Sequence, residues 1–149
     1  MVDARDHDAR IGAARHSLDG LSVGDAFGES FFDPVALRTL LSGERILPPA
    51  PWKFTDDTVM AISIVDVLSE RRRLDQELLA RLFAARYAYD PYRGYGRTAH
   101  EILTEVGAGG SWRRASVRAF DGIGSMGNGG AMRVAPVGAY FADDLGQVV

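Results

Sequence analysis

The chain has 149 residues, 46% of them hydrophobic and 25% charged, with a formal net charge of −3 and no cysteine. That is enough for one domain with a buried core, and the acidic balance excludes nucleic-acid binding through a general basic surface. Without thiols there is neither a disulfide framework nor a thiolate metal site, so any metal must be held by oxygen or imidazole.

The N-terminus, "MVDARDHDAR", is polar, mixed in charge and without an apolar signal core, and residues 1–9 are expected to form a flexible tail. No stretch approaches a membrane span, so the expected location is cytoplasmic. Between Ala9 and Gly28, Ile11, Ala14, Leu18 and Leu21 recur at helical spacing and predict a first helix. "FTDDTVMAISIVDVLSE" predicts a second, whose apolar residues cover most of its circumference and imply deep burial. The basic run Arg71, Arg72, Arg73, flanked by Glu70 and Asp75, reads as a solvated helix junction. "LDQELLARLFAARYAY" is a third helix, with Leu74, Leu78, Leu82 and Ala85 inward and Pro91 marking its end. Thr98 and Glu101 form a capping-box pattern opening a fourth, which stops at Gly107. Ser111 caps a short fifth helix through Phe120, and "AMRVAPVGAYFADD" predicts a sixth, bent at Pro136. Alternating runs are scarce, so the expected fold is all-α, a compact multi-helix single domain over residues 1–149. The 17 glycines gather between the helices, in "GYG", "GAGG" and "GIGSMGNGG". Such joints let backbone amides approach a ligand closely.

Three segments carry candidate chemistry. In "GLSVGDAFGES", Gly20, Gly24 and Gly28 would leave a bare stripe on a helix. Asp25 lies seven residues beyond Leu18, on the core-facing side, and Glu29 lies one turn further on. Two carboxylates so placed repel unless a cation or shared proton intervenes. Alternatively the helix ends near Gly24 and both acids sit in a solvated loop. In "FTDDTVMA", Asp56 and Asp57 stand side by side at a helix start. Capping needs only one of them, or Thr55. Thr55, Asp56 and Asp57 together fan oxygens over one turn, which suits a hard cation such as Mg²⁺ or Mn²⁺, although capping alone also accounts for an Asp pair. "GIGSMG" matches G-x-G-x-x-G in letters, but no strand precedes it and no βαβ unit can follow, so the dinucleotide reading is rejected. The loop remains a good seat for a pyrophosphate, with Arg133 as a charged donor. His100 reads as exposed or locally paired, His7 and His16 lack a partner motif, and Trp52 and Trp112 read as packing residues.

In order and spacing, "GLSVGDAFGE", "FTDDTVMA", "GYGRTAHEIL" and "GNGGAMRVAPVGAYF" together resemble the ADP-ribosylglycohydrolase family, from about Arg10 to Asp144. The resemblance implies an all-α fold and hydrolytic removal of ADP-ribose from protein side chains with two Mg²⁺ or Mn²⁺ ions. It implies metal ligation by Thr55, Asp56 and Asp57, and catalysis by Glu29, with Asp25 beside it. Ser125, Met126, Gly127, Asn128, Gly129 and Gly130 would wrap the diphosphate and proximal ribose, assisted by Arg133. The implied partners are ADP-ribose and ADP-ribosylated protein, with neither nucleic acid nor membrane. One departure stands out: the family's second Asp-x-Asp-Thr-type motif, and the histidine-bearing segment usual before it, do not occur. Asp143–Asp144 lacks the following Thr and reads as a helix-end feature. The chain is therefore expected to be the N-terminal part of such a domain, incomplete at its C-terminus. Such a chain would be weak or inactive alone and would self-associate through exposed apolar surface. A noncatalytic ADP-ribose-binding or interaction module is the alternative.

Overall fold

A computed structural model describes residues 4–43, 47–144 and 146. Seven α-helices follow one another: α1 (Ala4–Glu29), α2 (Pro34–Leu41), α3 (Asp56–Arg71), α4 (Gln76–Tyr89), α5 (Arg97–Gly107), α6 (Trp112–Arg118) and α7 (Ala135–Tyr140). Short 3-10 turns occupy Ser30–Phe32, Ala119–Gly122 and Ala131–Arg133. Among the described residues there is no strand, and the fold is all-α as expected.

α3 sits at the centre because it is apolar nearly all round. Met60, Ala61, Ile64, Val65, Val67 and Leu68 are buried, and α1, α4 and α7 pack on it. Ile11 and Ala14 of α1, Phe83 of α4, Leu103 of α5 and Val137 and Tyr140 of α7 complete one core. Polar bonds fix the packing in register. Arg86 of α4 donates to Ser63 Oγ at 2.8 Å and to Asp66 Oδ2 at 2.5 Å. The arginine run lies exposed at the α3 C-terminus, where Arg72 adopts a left-handed conformation (φ 58°) that ends the helix.

Several expectations need correction. Residues 4–9 belong to α1 rather than to a tail, because long-range contacts invisible to a local window hold them. His7 is buried with Nδ1 2.8 Å from Tyr140 Oη, and Arg10 pairs with Asp143 at 2.7 Å. Asp143 thus follows the last helix and ties it to the first. α1 runs through Gly24 to Glu29, so neither Asp25 nor Glu29 lies in a loop. The capping box does not form: Gly96 precedes the first turn of α5, and Thr98 is already inside the helix. Phe83 and Ala84 face the core, whereas Ala85 is exposed. The fifth helix is shorter than expected and gives way after Arg118 to a 3-10 turn. The sixth does not bend at Pro136. That proline occupies the first turn of α7, where its missing N–H is no loss. α2 was not foreseen. It buries none of its residues, and Val35, Leu40 and Leu41 stand exposed on it.

Candidate active site

A cleft of about 970 Å³ opens where the end of α1, the starts of α3 and α5, and the glycine-rich loop before α7 meet. Asp25, Glu29, Thr55, Asp56, Asp57, Ser125, Met126, Gly127, Asn128, Gly129 and Arg133 all line it. Of the residues singled out from the sequence, Gly130 does not. It lines an adjoining cleft of about 680 Å³ that shares Ser125, Gly127, Gly129 and Arg133 with the first.

Thr55 is the residue that caps α3, its hydroxyl accepting from the Asp57 amide at 3.4 Å. The two aspartates lie in the first turn and are not needed as caps. Asp56 is buried, and its amide donates to Arg93 O at 2.6 Å, which pins the "GYG" segment beside it. Gly94 in that segment has φ 89°, and a Cβ there would stand 3.4 Å from Asp56 Oδ1. Both conformation and contact therefore favour glycine at this wall of the cleft.

Burial and mutual repulsion disfavour the ionised forms of the two aspartates. Burial pushes the Asp56 carboxyl up to about 6, and the neighbouring Asp57 adds to the shift. Asp57 is raised in the same direction by burial and then by Asp25. Arg133 is one of two arginines lining the cleft, with Arg97, and it forms no carboxylate pair among the described residues. Its Nη1 lies 3.1 Å from Met60 Sδ, and its guanidinium sits 4.8 Å from the Phe83 ring centre. Burial lowers its pKa, while the Asp56 charge opposes that.

Asp25 is differently placed. Its Oδ1 accepts from Thr55 Oγ1 at 2.7 Å. Its Oδ2 accepts from the Thr55 amide at 2.8 Å, the Thr58 amide at 3.2 Å and Thr58 Oγ1 at 2.6 Å. Glu29 projects from the last turn of α1 and is exposed at the cleft edge. Gly24 and Gly28 also line the cleft, and a Cβ at either would meet nothing within 4 Å. The glycine stripe on α1 therefore keeps this wall open rather than seating another helix.

The loop itself is exposed and turned back on itself. Ser125 Oγ accepts from the Gly127 amide at 2.9 Å. Phe120 and Asp121 both adopt left-handed conformations, at φ 54° and 53°, uncommon for residues with a Cβ. Sequence reasoning missed Phe32, Met60, Gly94, Gly96, Arg97, Ala99, Phe120 and Met132 as lining residues. The "GYGRTAHE" segment, whose glycines read as a joint and whose Thr98 and Glu101 read as a capping box, lines the cleft through Gly94, Gly96, Arg97, Thr98 and Ala99. His100 is locally paired, its Nδ1 2.8 Å from Tyr87 Oη, and lies outside the cleft. Trp52 packs on Phe27, with ring centres 5.0 Å apart.

A family model described as ADP-ribosylglycohydrolase matches residues 6–149. ADP-ribosylhydrolase ARH3 of Xenopus tropicalis is 36% identical over 147 residues, covering 89% of this chain and 41% of the relative. The Homo sapiens protein of the same name is 35% identical over 144 residues, covering 86% and 39%. That of Danio rerio is 32% identical over 142 residues, covering 85% and 37%. The chain thus spans about two fifths of the length of these relatives. No solved structure matches the chain.

Proposed function

Because the chain belongs to the ADP-ribosylglycohydrolase family, we propose that it serves the hydrolysis of the bond between ADP-ribose and a modified protein side chain. The observation that carries this reading is the convergence on one cleft of three segments far apart in sequence: Asp25 and Glu29, Thr55 to Asp57, and the loop Ser125 to Gly129. The cleft volume suits a ligand of nucleotide size.

The chemistry fits each part. Breaking the glycosidic bond builds positive charge on the ribose, and Asp56 and Asp57 in the cleft lining supply negative charge that would stabilise it. The loop amides and Arg133 suit the diphosphate. Glu29, free at the cleft edge, would pass a proton to the leaving atom or take one from water. Thr55, Asp56 and Asp57 also fit Mg²⁺ or Mn²⁺: they offer only oxygen donors, and among the described residues the buried Asp56 carboxyl forms no ion pair. When bound, such ions fix ribose hydroxyls and acidify water. Among the described residues, no three acidic or histidine side chains converge at metal-holding distance, so Thr55, Asp56 and Asp57 would supply only part of a ligand set. The same observation favours a second reading for the chain alone, a noncatalytic ADP-ribose-binding module.

Calorimetric titration of ADP-ribose into the chain, with and without Mn²⁺, tests the shared core of both readings. The wild type binds ADP-ribose more tightly with the metal, and Asp56→Asn with Asp57→Asn removes the metal effect while leaving helix content intact. Equal behaviour of the two proteins refutes the metal role of the pair.

A further inference from the structure

We infer that Asp25 is a positioning residue, which takes the protons of Thr55 and Thr58 and so aims the oxygens at the start of α3 into the cleft. The inference rests on the reading of Thr55, Asp56 and Asp57 as cation ligands, and it departs from the expectation that Asp25 acts directly. A carboxylate has about four acceptor positions. Four donors crowd onto it here: Oδ2 takes the Thr58 hydroxyl at 2.6 Å and the Thr55 and Thr58 amides at 2.8 and 3.2 Å, and Oδ1 takes the Thr55 hydroxyl at 2.7 Å. Oδ2 is fully occupied, and Oδ1 is held by the Thr55 hydroxyl, so the carboxylate is fixed facing the start of α3 with only one acceptor position, on Oδ1, left over.

The direction of the Thr55 proton follows. Thr55 Oγ1 lies 2.7 Å from Asp25 Oδ1 and 3.4 Å from Asp57 Oδ1, and it has one proton to give. The nearer carboxylate takes it. That leaves the Asp57 carboxylate without the Thr55 proton, and it turns away from Asp25 the one Thr55 lone pair that does not accept from the Asp57 amide. A threonine can ligate a cation only with a lone pair forward and its proton behind, and Asp25 enforces that orientation. Thr58 does not line the cleft, and it is buried. Its hydroxyl, given wholly to Asp25, locks the carboxylate from the far side. The contact joins α1 to the first turn of α3 across 30 residues of sequence, so it sets the distance between Glu29 and the aspartate pair as well.

The test compares the wild-type chain with Asp25→Asn and Thr58→Val, which differ in which end of the clamp they cut. Mn²⁺ is the probe, followed by calorimetry and by the electron paramagnetic resonance spectrum of the bound ion. Amide hydrogen exchange at Thr55 and Thr58 reports the clamp itself. Asn in place of Asp25 presents an amide NH₂ to one of the donors, so Mn²⁺ affinity falls about 10–100-fold. The residual bound ion gives a broadened spectrum, and both threonine amides exchange faster. Thr58→Val produces the same pattern with a smaller loss, although it removes no cleft residue. Complete loss of Mn²⁺ binding in Asp25→Asn with no effect of Thr58→Val makes Asp25 a ligand and overturns the inference. Unchanged affinity and exchange in Asp25→Asn overturn it too. If the wild type takes no Mn²⁺, the cation reading fails separately. The clamp is then decided by exchange alone: faster exchange at both threonines upholds it, and no change rejects it.

Discussion

Burial and the adjacent Asp57 hold the Asp56 carboxyl at about 6, against 3.8 for an exposed aspartate. A raised carboxyl in the folded chain favours the protonated form there. Its contribution to stability is therefore complete below pH 3.8 and is lost as pH rises through about 6. Asp57, raised by burial and by Asp25, acts in the same sense. In metal-free buffer, the melting temperature of the wild type relative to Asp56→Asn should fall as pH climbs from about 4 to about 6.5. Added Mn²⁺ should flatten that decline, because a bound cation compensates the ionised pair. Thermal melts by circular dichroism across this range check both statements. A wild type that gains stability over Asp56→Asn with rising pH, without metal, contradicts the burial account. Asp56 was legible in the sequence as an excess of carboxylate over what capping needs. Its burial was not, because burial depends on Arg93 and Gly94 packing over it from a segment almost 40 positions away.

Long, strongly periodic helices could be read directly. Ile11, Ala14 and Leu18 of the α1 stripe face inward while Leu21 lines the cleft, and the wide apolar coverage of α3 places it centrally. Local patterns did less well where tertiary contacts decide. "TAHE" has the letters of a capping box, yet the helix begins at Arg97, and Thr98 in its first turn cannot cap it. α2 is only eight residues long, too short for a periodic stripe to stand out, although Asp33 before Pro34 is a helix-start signal that was there to be read. Asp33 accepts from the Val35 and Ala36 amides at 2.9 and 3.0 Å. The glycine-rich loop was legible as a joint from composition, and its place on the cleft allows a clean separation of binding from stability. A Cβ at Gly129 would meet nothing within 4 Å, whereas one at Gly127 would come within 3.1 Å of Ser125 Oγ and disturb the loop's own bond. Gly129→Val should therefore leave the melting temperature unchanged. It should weaken ADP-ribose binding by roughly 10–100-fold, the loss of one amide bond to a charged group being about 1.5–3 kcal/mol. Calorimetry beside a thermal melt decides between a binding loop and a structural one: a collapsed melting temperature with unchanged affinity per folded molecule favours the latter.

The order of four motifs along the chain was sufficient to suggest the family, and the fold brings three of the four regions around one cleft, with the fourth, "GYGRTAHE", forming another wall. The sequence already signalled that a second Asp-x-Asp-Thr-type motif does not occur, and the fold adds that Asp25 is turned to the start of α3. Thr55, Asp56 and Asp57 approach from the start of α3, Asp25 is spent on threonines, and among the described residues no triad of acidic or histidine groups converges. A divalent ion held by one face fills its other positions with water, and Mg²⁺ does so readily. Loosely held, it gives up most of the orientation on which hydrolysis depends, a contribution worth several orders of magnitude in rate. The relatives are more than twice as long as the segment matched here, the Xenopus tropicalis protein being covered over 41% of its length. The purified 149-residue chain with Mg²⁺ should accordingly bind ADP-ribose yet release it from a modified protein at least about a hundredfold more slowly than that relative. Chromatographic assay of freed ADP-ribose, with both proteins at equal concentration and on the same substrate, makes the comparison. Release at a matching rate would mean that Thr55, Asp56, Asp57 and Glu29 suffice for the reaction, and that the ligand set is complete without a second group of donors.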